Sequence, residues 1–454
     1  MSRLPRLAIG SVQCGVSCQP MAWAVMELVK ASGRQVQSFL SRACFAPIDG
    51  AKSITGVRPR HLDSWLMTKE VCRELFAHGA ASADLAVVEG EYLAARCADN
   101  RTAETVDQPG VAGGRLDCLC EWLDLPRLVV LDSSRIDECS LPARPLVAHG
   151  LLIDRLADDG QFVRAQTKLE SLWGVPVLGV LGELGPLRAA MEALPAGSTP
   201  PEELCRALGR SLARHTCVGQ LLALAARRDF SAPPEVLFRR RSTGRAARVA
   251  VAFDDAFYCY FPDVLDLLDA SGVQTKTFSP LRDDTLPPGT DIVYLGCGHP
   301  ERYAAALAEN HCMSMALRAH VREGRRIYAE GGALAYLCRE LDVGDGERRP
   351  MVGALPARAH RNRSGSPPEP VSLTLMRDTW LAPAGATLRG YRNPTWRIEP
   401  TEPLTPLVRD TGHYGDLWGV RRLLASNVHL NFVAHADCLR RFVESESHSA
   451  APRC

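Results

Sequence analysis

The side chains in this sequence best suited to chemistry are its cysteines, a strand-end acid and a group of arginines. There are 16 Cys. Two close pairs, Cys14/Cys18 and Cys118/Cys120, have spacing compatible with a redox or metal site. No CxxC…CxxC metal frame occurs, and most of the others stand alone in apolar segments, Cys205, Cys217 and Cys338 among them. In a reducing compartment such residues are small buried hydrophobes. Cys297 lies between Gly296 and Gly298, two residues before His299. A thiol next to an imidazole is a nucleophile with its base. Glu89 closes the apolar run ADLAVVE and precedes Gly90. An acid at the C-terminal end of a strand is placed either as a ligand for metal or substrate, or as a helix N-terminal acid. Arg42, Arg58 and Arg60, with His61, make a cationic group. Guanidinium groups pair bidentately with carboxylates, so this group suits a polycarboxylate ligand; a solvated loop accounts for the same residues.

These residues need elements to hold them. Arg6 to Ser11 reads as a short buried strand, followed by a turn and a helix from about Pro20 to Ala31. Gly33 ends that helix, and Gln35 to Ser41 reads as the next strand, giving a βαβ opening and a parallel sheet. Ala83 to Glu89, Arg127 to Asp132 and Val175 to Leu181 continue it, with helices between. From Leu194 a helical stretch runs through Leu224 into an Arg- and Pro-containing connector ending near Gly244, where Arg239 and Arg240 belong to a solvated run. A second α/β series follows. Its expected strands are Val249 to Phe253, Val273 to Phe278, Asp291 to Leu295 and Arg326 to Ala329, with a helix over Pro262 to Ala270. Ala359 to Pro370, rich in Arg, Ser and Pro, reads as a loop.

With 454 residues, 46% hydrophobic and 23% charged, the chain has room for two or three ordinary domains. A formal net charge of +1 gives no reason to expect nucleic acid or an anionic membrane as partner. No apolar run approaches a membrane span, and Met1 to Gly10 lacks a signal-peptide layout, so a soluble cytoplasmic protein is expected.

Several segments, in order, carry a family likeness. Thr55 to Met67 (TGVRPRHLDSWLM) is similar to a pattern TGRPSRNLDxWM, and Ala83 to Gly90 to xDLxVIEG. Ala250 to Tyr260 (AVAFDDAFYCY), Phe278 to Leu286 (FSPLRDDTL), Tyr294 to Glu301 (YLGCGHPE) and Tyr328 to Leu337 (YAEGGALAYL) resemble DEAFxFYY, FSPLxDexLP, xGGGYPE and YAECGGLMYL. On these residues the second half resembles a type I glutamine amidotransferase domain. The whole chain resembles the cobyrinic acid a,c-diamide synthase family. The resemblance implies an α/β fold with an N-terminal P-loop-NTPase-like parallel-sheet domain and a C-terminal class I glutamine amidotransferase-like α/β domain. The expected division is 1–195, a helical segment and linker at 196–246, then 247–445, with a disordered tail at 446–454.

The resemblance also implies sites, and most are altered. The family's phosphate loop is similar to S-G-x-G-K-T-T; here the stretch is Cys14-Gly15-Val16-Ser17-Cys18-Gln19-Pro20. Cys18 replaces the Lys that meets the β/γ oxygens, and Gln19 replaces the hydroxyl that binds Mg²⁺. ATP and Mg²⁺, the family's cofactors, are not expected to bind in the family manner. The family segment FKVGPDYIDP corresponds to Phe39 to Pro47, where Arg42 is the remaining cation for a corrinoid or sirohydrochlorin-type carboxylate, and Glu89 resembles a Mg²⁺ ligand. The nucleophile of A-E-C-G-G corresponds to Gly331, which cannot form a thioester. His429 matches the family's base, with Asn431 in place of its partner, and Gly296-Cys297-Gly298 matches an oxyanion-type loop. That loop's implied role uses backbone N–H groups, which argues against a displaced Cys297–His299 pair. The family's R-G-H-E-F-H-Y-S corresponds to Arg389 to Trp396, where nothing after Gly390 matches. The expectation is a non-catalytic homologue that binds a tetrapyrrole or a partner enzyme in cobalamin- or siroheme-type metabolism, as part of a homo- or hetero-oligomer. The alternatives are an active ligase using ammonia or an unusual nucleotide mode, and new chemistry at Cys14/Cys18.

Overall fold

The computed structural model describes residues 4–13, 15–92, 113–136, 142, 144–145, 147–158, 160, 162–240, 247–344, 346–362, 366–404, 407–408 and 415–444. Cys14 and the expected tail lie outside them. The chain divides into two compact units, Met1–Glu235 and Val236–Cys454.

The first unit is built on strands that are apolar along their whole length, and such strands need cover on both faces. In chain order its elements are β1 (Arg6–Ser11), α1 (Gln19–Ala31), β2 (Val36–Leu40), α2 (Gly50–Thr55), β3 (Arg60–His61) and α3 (Lys69–Gly79). Then come β4 (Leu85–Glu91), α4 (Leu116–Trp122), β5 (Arg127–Asp132), β6 (Gly150–Leu156), α5 (Phe162–Trp173), β7 (Val177–Gly182) and α6 (Gly185–Glu192). The seven strands form one sheet in the order β3-β2-β4-β1-β5-β6-β7. All its pairings are parallel. After β1 the chain crosses to β2 on one side, and after β4 to β5 on the other. The C-terminal ends of β1 and β4 therefore border the point where strand order reverses, which is where open α/β sheets place their ligands.

The stretch expected to be a separate helical segment and linker contributes α7 (Glu202–Ala213) and α8 (Val218–Ala225) to this unit. Leu204, Leu208, Leu212 and Leu221 share one core with Met21, Val25 and Val29 of α1. Gly209 lets α7 come so close to α1 that an added Cβ would sit 2.6 Å from Glu27 Cγ. The amphipathic face of α7 has its cover here, so the unit closes only after it. Arg239 and Arg240 are exposed, as a solvated run should be; Arg241 lies outside the described residues.

The second unit contains β8 (Arg248–Ala252), β9 (Phe257–Cys259), α9 (Pro262–Ala270), β10 (Gln274–Phe278), β11 (Ile292–Leu295), β12 (Cys297–Gly298), α10 (Ala304–Glu309), α11 (His311–Arg322), β13 (Arg326–Glu330) and α12 (Gly332–Leu337). It continues with β14 (Glu340–Asp342), β15 (Arg348–Pro350), β16 (Ala357–Arg361), β17 (Glu369–Thr374), β18 (Thr387–Arg392) and β19 (Trp396–Pro400). It ends with β20 (Leu417–Val420), β21 (Leu423–Ser426), β22 (Val428–His429) and α13 (Ala436–Val443). Its main sheet runs β10-β8-β11-β13-β21-β20, parallel except for the β20 edge. The expected loop at Ala359 to Pro370 is corrected at both ends. Ala359 is buried between β14 and β19, and Glu369 and Pro370 pair with Arg392 and Tyr391. Cross-strand pairing overrides a turn-like composition there.

The packing of α7 makes a direct prediction. Leu208→Ala should destabilise the first unit by about 2–5 kcal/mol in urea unfolding. A fragment ending at Glu235 should give a cooperative transition, and one ending at Pro195 should not.

Candidate functional site

The phosphate-loop position begins where β1 leaves the sheet. Gly15 takes a left-handed conformation with φ 68°. Cys18 directly precedes α1, and its side chain turns inward. Its thiol donates to Gly90 O at 3.3 Å and lies 3.8 Å from Ile9 O. Burial, followed by the charge of Glu89, pushes this thiol far up, so it stays protonated and unreactive. Gln19 receives help only from Ser17, whose Oγ accepts the Gln19 N–H at 3.3 Å. Glu89, at the end of β4, is buried, and its Oε2 has no hydrogen-bond partner among the described residues. Burial first, and Asp49 second, push its carboxyl up to about 8. An inward thiol at Cys18 and an amide at Gln19 do not supply the cation that meets the phosphates or the hydroxyl that binds Mg²⁺ in a phosphate loop.

A cavity of about 450 Å³ opens beside this turn, lined in part by Gly15, Ser17, Gln19, Asp132, Arg135 and Arg155. The sequence reading missed Asp132, Arg135 and Arg155; the acid ending the strand RLVVLD was their available signal. Asp132 Oδ2 lies 3.8 Å from Arg135 Nε and 3.5 Å from Arg155 Nε. Arg135 also donates to Gly15 O at 3.4 Å.

The cationic group is not gathered into one place. Arg42 is exposed, donates to Gly114 O at 3.3 Å and lies 3.7 Å from Glu91. Arg60 lies over Gly79, at the far end of α3. Arg58 is half-buried, and its carbonyl accepts from Gln37 at 3.4 Å. Cys118 and Cys120 lie two apart on α4, a spacing that puts side chains on different faces. Cys118 is half-buried and Cys120 buried, and no group of three metal-ligating side chains occurs among the described residues.

The second unit brings its residues together. Strand β13 ends at Glu330, and Gly331 makes the turn into α12 with φ 54° and ψ −116°. That conformation costs a residue with a Cβ about 1–3 kcal/mol. The Gly331 N–H donates to Ser426 O at 2.8 Å, which fixes the turn to β21. The loop carrying Cys297 crosses directly in front. A Cβ on Gly331 would lie 2.6 Å from Cys297 Sγ, 2.9 Å from His429 Cε1 and 3.3 Å from Asn393 Nδ2. The sulfur of Cys297 therefore occupies the place that a side chain at 331 would enter.

His429 is held from several sides. Its Nδ1 lies 3.5 Å from Glu330 Oε2, its Nε2 is 3.4 Å from Asn393 Nδ2, and it shares a side-chain hydrogen bond with Cys297. Asn393 Nδ2 also donates to Cys297 Sγ at 3.7 Å. Burial opposes the charge on the ring, but Cys297 and then Glu330 outweigh it and raise His429 to about 10. Glu330 is anchored in turn, accepting from Tyr328 OH at 2.5 Å and from the Leu430 N–H at 3.2 Å.

The pair argued against in the sequence does not form: His299 Nδ1 sits 3.1 Å from Glu301, and the imidazole beside the Cys297 sulfur is His429. One expectation changes. Asn431 does not orient His429: its Oδ1 accepts from the Val433 N–H and caps a short turn. Glu330 does that work, and Asn393 joins it. Neither was picked out in the sequence, although Glu330 stood next to Gly331 in the quoted segment.

Residues 248–436 match the CobB/CobQ-like glutamine amidotransferase domain. The cobyrinate a,c-diamide synthase of Syntrophotalea carbinolica is 29% identical over 473 residues, covering 97% of this chain and 98% of that protein. The hydrogenobyrinate a,c-diamide synthase of Streptomyces coelicolor is 28% identical over 500 residues, covering 98% of each. A solved glutamine amidotransferase structure covers 43% of this chain and 95% of its own, at 21% identity and a TM-score of 0.32.

Two outcomes follow from the crowding and the charge at Gly331. Gly331→Cys alone should lower stability by about 1–3 kcal/mol, from strain and overpacking. Adding Cys297→Gly should recover the overpacking part, giving a coupling of roughly 1 kcal/mol in a double-mutant cycle. His429 should titrate near 10 by NMR. Because its folded pKa is raised, its contribution is complete below 6.5 and fades as pH climbs to about 10; His429→Gln should remove that slope from the unfolding curves of this unit.

Proposed function

We propose, from the premise that this chain belongs at the family level with the cobyrinate and hydrogenobyrinate a,c-diamide synthases, that it is a homologue that no longer performs ATP-driven amidation. In this reading it binds a tetrapyrrole, or a partner enzyme handling one, and does not ligate nitrogen to it. Its first unit is a P-loop-NTPase-like domain with a converted phosphate loop. The observation that carries the reading is the inward thiol of Cys18, hydrogen-bonded to Gly90 O where the loop needs a cation facing the phosphates. Arg42, exposed beside the switch point, is left as a cation for a carboxylate of the macrocycle.

A second reading has one observation in its favour. Arg135 and Arg155 line the cavity next to Gly15 and could meet phosphates without a loop Lys, allowing ligation with free ammonia. The two readings separate in one titration of the full chain. Cobyrinic acid, hydrogenobyrinic acid and sirohydrochlorin are each followed by their visible absorption, with and without ATP–Mg²⁺. The first reading expects a macrocycle to bind without ATP, ATP–Mg²⁺ to bind no tighter than about 1 mM, and no amide to form. Micromolar ATP binding, or amidation of a carboxylate with ammonia present, would establish the second reading instead.

A further inference from the structure

We propose that Cys297, His429 and Glu330 form a nucleophilic site for small primary carboxamides, its thiol carried by the 296–298 loop in place of the turn at Gly331. The family pattern quoted above has Gly at the position of Cys297 and Cys at the position of Gly331; this chain has the two exchanged. The exchange is between neighbours in space, since Cys297 Sγ sits 2.6 Å from where a Cβ on Gly331 would be. The sulfur thus stands close to where the family's own sulfur would hang, but it arrives from the opposite wall. Its imidazole and carboxylate partners are in place: His429 shares a hydrogen bond with Cys297, and Glu330 lies 3.5 Å from the other ring nitrogen. Asn393, 3.7 Å from the sulfur, is a positioning residue for both.

The chemistry balances with water as the only co-reactant. The proton shared in the Cys297–His429 hydrogen bond stays with His429 as the Cys297 sulfur attacks the carbonyl carbon of the carboxamide, forming a C–S bond. His429 gives that proton to the amide nitrogen as the C–N bond breaks and ammonia leaves. Water then attacks the thioester and gives a proton to the neutral ring, the C–S bond breaks, the acid departs, and the sulfur and ring again share one proton. A ring that holds its proton across the neutral range is suited to protonating a poor nitrogen leaving group. The site is also narrow. Cys297 is 6% exposed and His429 3%, so little of either side chain is open to a ligand. This goes beyond the loss of ligation: no nucleotide takes part, and failure here leaves the tetrapyrrole-binding reading as it was.

The competing explanation is packing alone, in which Cys297 fills the space left by a missing side chain at 331. Iodoacetamide, itself a small primary carboxamide, distinguishes the two. The full chain is treated with limiting reagent at neutral pH and the alkylated cysteines are mapped by mass spectrometry. Cys217 and Cys312, both exposed, serve as internal references. The proposal expects Cys297 to be alkylated at least about tenfold faster than either reference. His429→Gln should slow Cys297 by at least about tenfold and leave Cys217 and Cys312 unchanged. Glutamine should release ammonia with the wild-type chain and not with Cys297→Ser. Labelling of Cys297 only after denaturation, or at a rate indifferent to His429→Gln, overturns the proposal. Equal ammonia release by wild type and Cys297→Ser overturns the carboxamide assignment. The wild-type labelling needs no variant, so a substitution that fails to fold leaves the test decisive.

Discussion

The space between the end of β13 and the 296–298 loop admits one side chain, and the second unit is organised around that limit. Gly331 must take a positive φ to turn β13 into α12, and its N–H is committed to Ser426 O. The loop opposite comes so close that a Cβ on Gly298 would lie 1.9 Å from Ala256 O, and one on Gly332 2.6 Å from Gly298 O. Two walls with no slack face each other. A sulfur can hang from either wall, but both cannot carry one without displacement. Placing the sulfur on Cys297 therefore settles what residue 331 can be.

The charge follows from the same enclosure. A buried imidazolium is unfavourable unless anionic partners surround it. His429 has Glu330 toward Nδ1, and its hydrogen bond to the Cys297 sulfur completes the row. Glu330 is itself fixed by Tyr328 and by the backbone of Leu430, so the acid cannot swing away from the ring. Three strands contribute: β13 supplies Glu330, β18 leads into Asn393 and β22 ends in His429. Glu330 and His429 are set by strand pairing, and the Asn393 N–H is fixed to Asn427 O at 2.8 Å, so the row is held by the backbone of separate strands.

The parts of the molecule that could be read from the sequence share a physical reason. Strands β1 and β5 are buried on both faces, so their apolar runs end where the strands end. The α9 boundaries were equally clear, with Pro262 opening the helix. Strand β6 went unread although GLLIDRL is apolar, because Asp154 and Arg155 interrupt it; the structure pairs Asp154 with Arg188 in the interior. The helices after β7 read as a segment separate from the first unit because their core partners lie far back, on α1. Departures from the family pattern could be read from the sequence, since each is a fact about one position. The closeness of Cys297 and Gly331 could not, since they are 34 positions apart and only the fold shows that their side-chain volumes overlap.

Each unit buries a sulfur beside a strand-to-helix turn, and the two differ in what each sulfur faces. Cys18 faces the carbonyl oxygens of Gly90 and Ile9, groups that only accept hydrogen bonds. Burial, and Glu89 after it, hold the proton on this sulfur. Such a thiol closes the phosphate turn and does nothing further. Cys297 faces an imidazole ring and an amide N–H, both donors. Exposure is the same for both, within a few per cent, so the two surroundings differ in the polarity of the neighbouring groups: carbonyl oxygens around the first sulfur, an imidazole and an amide around the second.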